Sequence, residues 1–433
     1  MKGIKKFWTL AGLLLFILSM SAVSFAEDTE VKELKKKVEI LTEEVEKLKL
    51  GGVAEPKYES FKGLGPAASK VYGIDKGISL GGYGEAFFSR FQDSSKKDIA
   101  DTQRFVLYGG YKYNDWLVMN SELEFEHAGI DNVGNKKPEV YVEFMYLDFL
   151  LKPTLNVRTG LILMPIGFIN EYHEPTVRHG VLRPDVETNI IPSTWREMGV
   201  MAYGTPVDGL EYKLGIFNGL RADRIGKSDF IRGGRQQGAK VNADALAGLL
   251  NLNYTIMPGL KIGGTYYIGE AEEKGGGEQV TANEKMGTVK LWEVHAEYKF
   301  KGLELRGLYT QGTVSGNNAL ETATNIPKEV QGWYVEAAYD IMPHLRSGSL
   351  MSLTPFFRYE SYDTNKEVFT GTPDKTMDRR VTTFGLDFKP IPNVVIKADY
   401  QWRDTDSDLP KGKGTGLDEN KISQFNLGIG FIF

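Results

Sequence analysis

Cysteine is absent from the chain, which excludes a disulfide framework and a thiolate metal site and leaves no acceptor for a lipid anchor behind an export signal. Long apolar runs are missing too. Apart from one short stretch near the start, charged residues, 25% of the chain, interrupt every hydrophobic segment, so a bundle of membrane helices is excluded. Histidine is sparse and scattered, and a net charge of -5 argues against a general nucleic-acid binder. What is abundant is glycine, 49 residues, and aromatics, 12%. Both suit amphipathic strands with tight turns and aromatic girdles.

The last stretch shows the pattern in its clearest form. Phe425, Leu427, Ile429, Phe431 and Phe433 alternate with Gln424, Asn426, Gly428 and Gly430. One face of such a strand is apolar and the other polar. A tilted strand of about ten residues crosses a bilayer, and a final strand ending in Phe resembles the closing strand of bacterial outer-membrane barrels.

The chain divides into four parts. Lys2, Lys5 and Lys6, the apolar run from Leu10 to Leu18 and Ser24-Phe25-Ala26 form an export signal over 1-26. Residues 27-50 carry a heptad seam, Val31, Leu34, Val38, Leu41, Val45 and Leu48, which predicts a short periplasmic coiled-coil helix with attractive Glu30 to Lys35 and Glu44 to Lys49 pairs. Its β-branched a and Leu d positions favour two strands by rule. The Gly- and Pro-containing stretch 51-76 reads as a linker, and 77-433 as a transmembrane β-barrel.

The barrel reading rests on connection lengths. Short turns at Tyr113, Lys152, Thr205, Met257, Phe300, Met342 and Lys389 alternate with long polar stretches near 92-102, 128-139, 165-196, 219-242, 270-288, 314-329, 363-378 and 404-420. Short periplasmic turns alternating with long outer loops predict an all-β, antiparallel barrel of about sixteen strands. Charges fix the facing of individual strands. Glu122, Glu124 and Glu126 point to the lumen opposite lipid-facing Leu123 and Phe125, because burying them in lipid costs kilocalories each.

The longest connection, Pro165 to Arg196, carries Arg178, His179, Arg183, Glu187 and Arg196 beside apolar Ile166, Ile169, Ile190 and Ile191. A long loop with its own apolar residues is expected to pack rather than float, which predicts a constriction folded into the lumen. The alternative is a surface flap with solvated charges. Arg104, Arg158, Glu122, Glu124 and Glu126 complete the expected set of lumen charges. The next loop holds Arg221, Arg224, Lys227, Arg232 and Arg235, a basic mouth that either concentrates anions or pairs with lipopolysaccharide phosphates.

Catalysis and resident metals find no support. His173-Glu174-Pro175-Thr176-Val177 begins like HExxH but ends in Val177, and Pro175 forbids a helix interior. Asp404, Asp406 and Asp408 open like a calcium loop, but Leu409 replaces the required glycine. No cofactor is expected.

A run of motifs in the middle third extends the reading. Arg104 to Tyr108, Asp115-Trp116, Glu122 to Glu126, Arg158-Thr159-Gly160, Met164-Pro165-Ile166-Gly167 and Arg196-Glu197-Met198-Gly199 resemble, in order, the phosphate-selective porin O and P type family. A coiled coil ahead of such a barrel resembles the DcaP-like porins. The resemblance implies a homotrimeric outer-membrane porin passing small hydrophilic solutes with an anion leaning. A regular arginine ladder is missing, so phosphate specificity is not implied. The rival reading is an envelope tether or adhesin with a plugged barrel and a coil reaching peptidoglycan.

Overall fold

The computed structural model describes residues 59-92, 96-127, 139-272, 286-316, 326-406 and 421-433. The expected export signal over 1-26 and the expected coiled-coil seam from Val31 to Leu48 lie outside the described residues. Residues from Glu59 onward form one compact unit.

Seventeen strands run in chain order: β1 Gly77–Gln92, β2 Ile99–Asn114, β3 Leu117–Glu126, β4 Glu139–Lys152, β5 Leu155–Leu163, β6 Arg196–Val207, β7 Leu210–Asn218, β8 Leu220–Arg221, β9 Leu246–Met257, β10 Leu260–Glu272, β11 Met286–Phe300, β12 Leu303–Gly316, β13 Pro327–Tyr339, β14 Ser352–Val368, β15 Asp378–Ile391, β16 Val394–Thr405 and β17 Lys421–Ile432. Sixteen of them form a closed antiparallel barrel, and the two-residue β8 pairs in parallel with β10. The ends meet as β1 pairs with β17, Phe88 opposite Leu427 and Tyr83 opposite Ile432. Closure leaves the barrel strands no unpaired edge, which is what lipid demands of backbone.

The turns at one end are two residues long, as Asp208-Gly209, Pro258-Gly259 and Lys301-Gly302 show. Gly209, Gly259 and Gly302 sit at φ +78°, +88° and +85°, and Lys301 at +47°. Left-handed residues at these positions match the strand twist. The connection at Met342 departs from the expected short turn. It runs from Asp340 to Met351 and holds a helical turn, Met342–Leu345, because Pro343 fits the first turn of a helix.

Side chains alternate across the wall. In β17, Leu427 and Ile429 are 46% and 53% exposed, whereas Gln424 and Asn426 are 4% and 0% exposed. The outward face is an apolar belt, and Trp116, Tyr254, Phe300 and Phe433 sit on it beside the short turns, as interfacial aromatics do. The chain is thus an outer-membrane β-barrel.

Two features depart from simple alternation. In β4, Glu122 faces Phe144 but Leu123 faces Val142, so Glu143 is an extra residue in the ladder. This bulge turns Glu143 inward beside Phe144, and both are fully buried. Residues 59-73, composed like a linker, pack inside the barrel near the short turns. Leu64, Ala67, Ala68 and Val71 are buried there. Asn120 Nδ2 donates to the Ala68 carbonyl at 2.9 Å, and the Tyr72 hydroxyl donates to Asp148 at 2.7 Å.

Candidate pore constriction

The loop between β5 and β6 is built around apolar residues that no surface loop would need. Ile166, Ile169, Val186, Ile190, Ile191 and Trp195 are all nearly or wholly buried. Burying each contributes about 1.5–3 kcal/mol. The loop neck is closed by Asn170, which donates to the Met164 carbonyl at 2.6 Å and accepts from the Trp195 amide at 2.6 Å. Glu197, next to the neck, accepts from Trp195 Nε1 at 3.1 Å and from Asn218 at 2.7 Å.

From the neck the loop crosses the lumen and is bonded to wall after wall. Arg178 donates to Glu85 of β1 at 2.5 Å, and His179 Nδ1 lies 2.8 Å from Asp387 of β15. The Val181 amide donates to Asp399 of β16, and the Val186 amide to Glu360 of β14. Asp185 pairs with Arg403 and accepts from Tyr362, while Glu187 accepts from Tyr334 at 2.5 Å. Arg358, 1% exposed, donates to Glu336 and Glu360 and to the loop carbonyls of His179 and Leu182. Lys397 donates to the carbonyls of Arg178 and Gly180.

Glycines on the inner wall make room for this path. A Cβ at Gly430 would lie 2.5 Å from Pro175, and one at Gly332 would lie 2.8 Å from Ile190. Glu174 reaches the other way, accepting from the amides of Ala67 and Ala68 at 2.9 and 3.0 Å and so clasping the inner N-terminal segment. Burial pushes the Glu174 carboxyl up to about 7 against those amides. Burial likewise pulls His173 down to about 4. His179 is also buried, but its bonds to Asp387 and Glu304 outweigh that and hold it above the ordinary imidazole value. Burial opposes ionisation of Asp185 as well, yet Arg403 keeps it below the usual carboxylate range.

The expected site residues separate into groups. Arg178, His179 and Glu187 belong to the crossing just described. Arg104 lies 3.2 Å from Glu85, 3.3 Å from Glu124 and 3.6 Å from Glu126. Glu122 faces His173 at 3.4 Å. Arg196 is buried 3.6 Å from Glu143 and over the Tyr141 ring. Arg158 stands apart, ion-paired to Asp148 at 2.8 Å and stacked on Tyr146 near the short turns. Arg183 Nε and Nη2 have no hydrogen-bond acceptor among the described residues.

The basic loop folds over the neck of the constriction loop. Arg232 and Arg235 donate to the carbonyls of Thr188 and Ser193, and Lys227 reaches Asp374 at 2.8 Å. Arg221 pairs with Asp223, and Arg224 is exposed.

On the side of β7 and β9–β12 the loop leaves a cavity of about 340 Å³, bounded by Pro165 to Tyr172 of the loop and by the N-terminal segment. Its lining includes the cations Lys62, Lys213, Lys261, Lys299 and Arg306 against the carboxylates Glu171, Glu211 and Glu297. Phe168 projects here, its ring 4.7 Å from His295 and within 5.7 Å of the Arg306 guanidinium. Sequence reading overlooked Lys62, because it precedes the first strand, and Glu143, because a bulge leaves no mark in a two-residue period. Lys213 was visible in principle, since Glu211 and Lys213 alternate with Tyr212 and Leu214.

The architecture defines the class: an outer-membrane barrel of porin fold with an internal loop. An uncharacterized protein of Aquifex aeolicus (strain VF5) is 35% identical over 368 residues, 82% of each chain. The chain belongs to that protein's family. It matches no family model. Among solved structures, the anion-selective porin of Comamonas acidovorans aligns over 83% of this chain and all of its own, with a TM-score of 0.53 and 13% identity. The channel DcaP of Acinetobacter baumannii gives 0.53 over 83% of this chain and 98% of its own, at 12% identity. The trimer form of Vibrio cholerae OmpT gives 0.52 over 83% and 100%, at 13% identity. At these identities the likeness is one of fold.

Proposed function

We propose that the protein is a porin through which small hydrophilic solutes diffuse passively, with anions favoured, along the side of the lumen that the constriction loop leaves open. The observation that carries this is the cavity beside Phe168, where five cations face three carboxylates. A cleft walled by low-dielectric protein and lined with surplus positive charge raises the local concentration of anions. Glu122 and Arg178 act here by fixing the loop, with Arg104, Glu124 and Glu126 in the charge network around Glu85, so the filter for size and charge lies at the loop's edge. No catalytic step and no cofactor belong to this reading. The phosphate-porin resemblance and the likeness in fold to the anion-selective porin of Comamonas acidovorans support the anion leaning. Three copies joined through the seam from Val31 to Leu48 complete the proposal, with lipopolysaccharide phosphates as partners of exposed Arg224.

A second reading, a closed barrel serving as a tether to peptidoglycan, is favoured by the burial of residues 59-73 and of the loop crossing. Single-channel recording of the refolded protein separates them. Discrete current steps, in triplets, are expected of the porin; a silent bilayer together with peptidoglycan binding through residues 27-50 would replace it with the tether.

A further inference from the structure

Three side chains meet where the constriction loop passes β3 and β4. Glu122 comes from β3, Glu143 from the bulge of β4 and His173 from the loop, and none is more than 1% exposed. One donor atom from each lies within 4.8 Å of the other two. His173 Nε2 is 3.4 Å from Glu122 Oε1 and 3.9 Å from Glu143 Oε2. The other ring nitrogen, Nδ1, is 3.0 Å from the Asn170 carbonyl oxygen. Nδ1 therefore carries the proton and donates it, which leaves the Nε2 lone pair directed at the carboxylates, the orientation that metal-binding imidazoles adopt.

The carboxylates are short of donors. Among the described residues no donor bonds either oxygen of Glu143 or Glu122 Oε2. The Arg196 guanidinium stays 3.6 Å from Glu143 Oε1, beyond hydrogen-bond reach. The hydroxyl of Tyr83, whose ring stands edge-on to His173 at 5.8 Å, is also unpartnered. Two buried carboxylates side by side without other donors are costly unless they share a proton or a cation. A shared cation also removes that cost, and donors around a metal at bond lengths of about 2.1 Å stand roughly 3–3.5 Å apart, so an ion would draw the triad, at 3.4 and 3.9 Å from the imidazole and within 4.8 Å overall, slightly inward.

We propose that Glu122, Glu143 and His173 bind one first-row divalent metal ion, Zn2+ or an ion of similar preference, which ties the constriction loop to the barrel wall. An imidazole with two carboxylates suits such ions better than Mg2+ or Ca2+, which take all-oxygen shells. The site does not depend on whether the barrel conducts.

The test is to refold the full chain in detergent with Zn2+, pass it over chelating resin and measure metal per chain by plasma mass spectrometry. Retention of about one ion per chain is expected, with Co2+ in its place giving visible ligand-field absorption. Glu143→Gln and His173→Gln should each lower retention by about tenfold or more, while Glu367→Gln, on β14 with a half-exposed side chain, keeps it. Should the triad variants fail to fold, the wild-type protein refolded with Zn2+ is expected to unfold at higher temperature than with Mg2+ or chelator. Equal unfolding temperatures, no retained ion, or unchanged retention in folded Glu143→Gln overturns the proposal.

Discussion

The lumen has two halves of opposite character. Against β1 and β13–β17 the constriction loop is held at many points, by Glu85, Asp387, Asp399, Glu360, Arg358 and Lys397. Against β7 and β9–β12 the loop is tied at fewer points, Lys213 to Glu171 and Arg306 to the Val177 carbonyl, while Lys62 and Lys261 pair with Glu211 and Lys299 with Glu297, and space remains between them. In the proposed reading that difference is what makes a filter: the loop is held most densely on one side, and its other edge bounds the opening.

The contrast is most severely tested on the filled side. Arg358→Ala strands Glu336 and Glu360 and frees two loop carbonyls, and removing one partner of a buried pair costs about 3–5 kcal/mol. Thermal unfolding in detergent, followed by gel mobility, should register that loss. A loss under about 1 kcal/mol would mean that the two halves are equally loose.

A smaller effect follows pH. The imidazole of His179 is held above its ordinary value by Asp387 and Glu304, so the stability it contributes is fully present below about pH 6.5 and is lost as pH rises through the raised value. Unfolding temperature should therefore fall as pH rises above about 6.5, and Asp387→Asn should flatten that slope. An unchanged slope in the variant would remove His179 from the anchor.

The smallest change is expected on the open side. Lys62 and Glu211 pair at 3.0 Å with side chains 27% and 32% exposed. Water screens such a pair, so Lys62→Gln should cost no more than about 1 kcal/mol in the same unfolding assay.

The sequence makes the outer shell legible and the interior only in part. Period-two facing follows from residues such as Glu122, Glu124 and Glu126, because lipid tolerates no other arrangement. Arg178, His179 and Glu187 could be assigned to one loop, but their partners Glu85, Asp387 and Tyr334 are distant in sequence and tied to it only by closure of the barrel. Gly428 and Gly430 read as small residues of a strand, and only the contacts with Val181 and Pro175 give them a reason. A fainter signal lay in residues 59-73, where Leu64, Ala67, Ala68 and Val71 follow the spacing of a buried helical stripe within a stretch otherwise composed like a linker.

The central claim, that ions pass along the open half under a positive field, is tested most directly by the reversal potential in a potassium chloride gradient, recorded for the wild-type protein and for Lys261→Glu with Lys299→Glu. These side chains are 39% and 43% exposed in the cavity lining, so their reversal leaves the buried anchors intact. The account predicts an anion-biased reversal in the wild type that moves toward cations in the double variant. Cation bias in the wild type, or a reversal potential indifferent to the two substitutions, would contradict it.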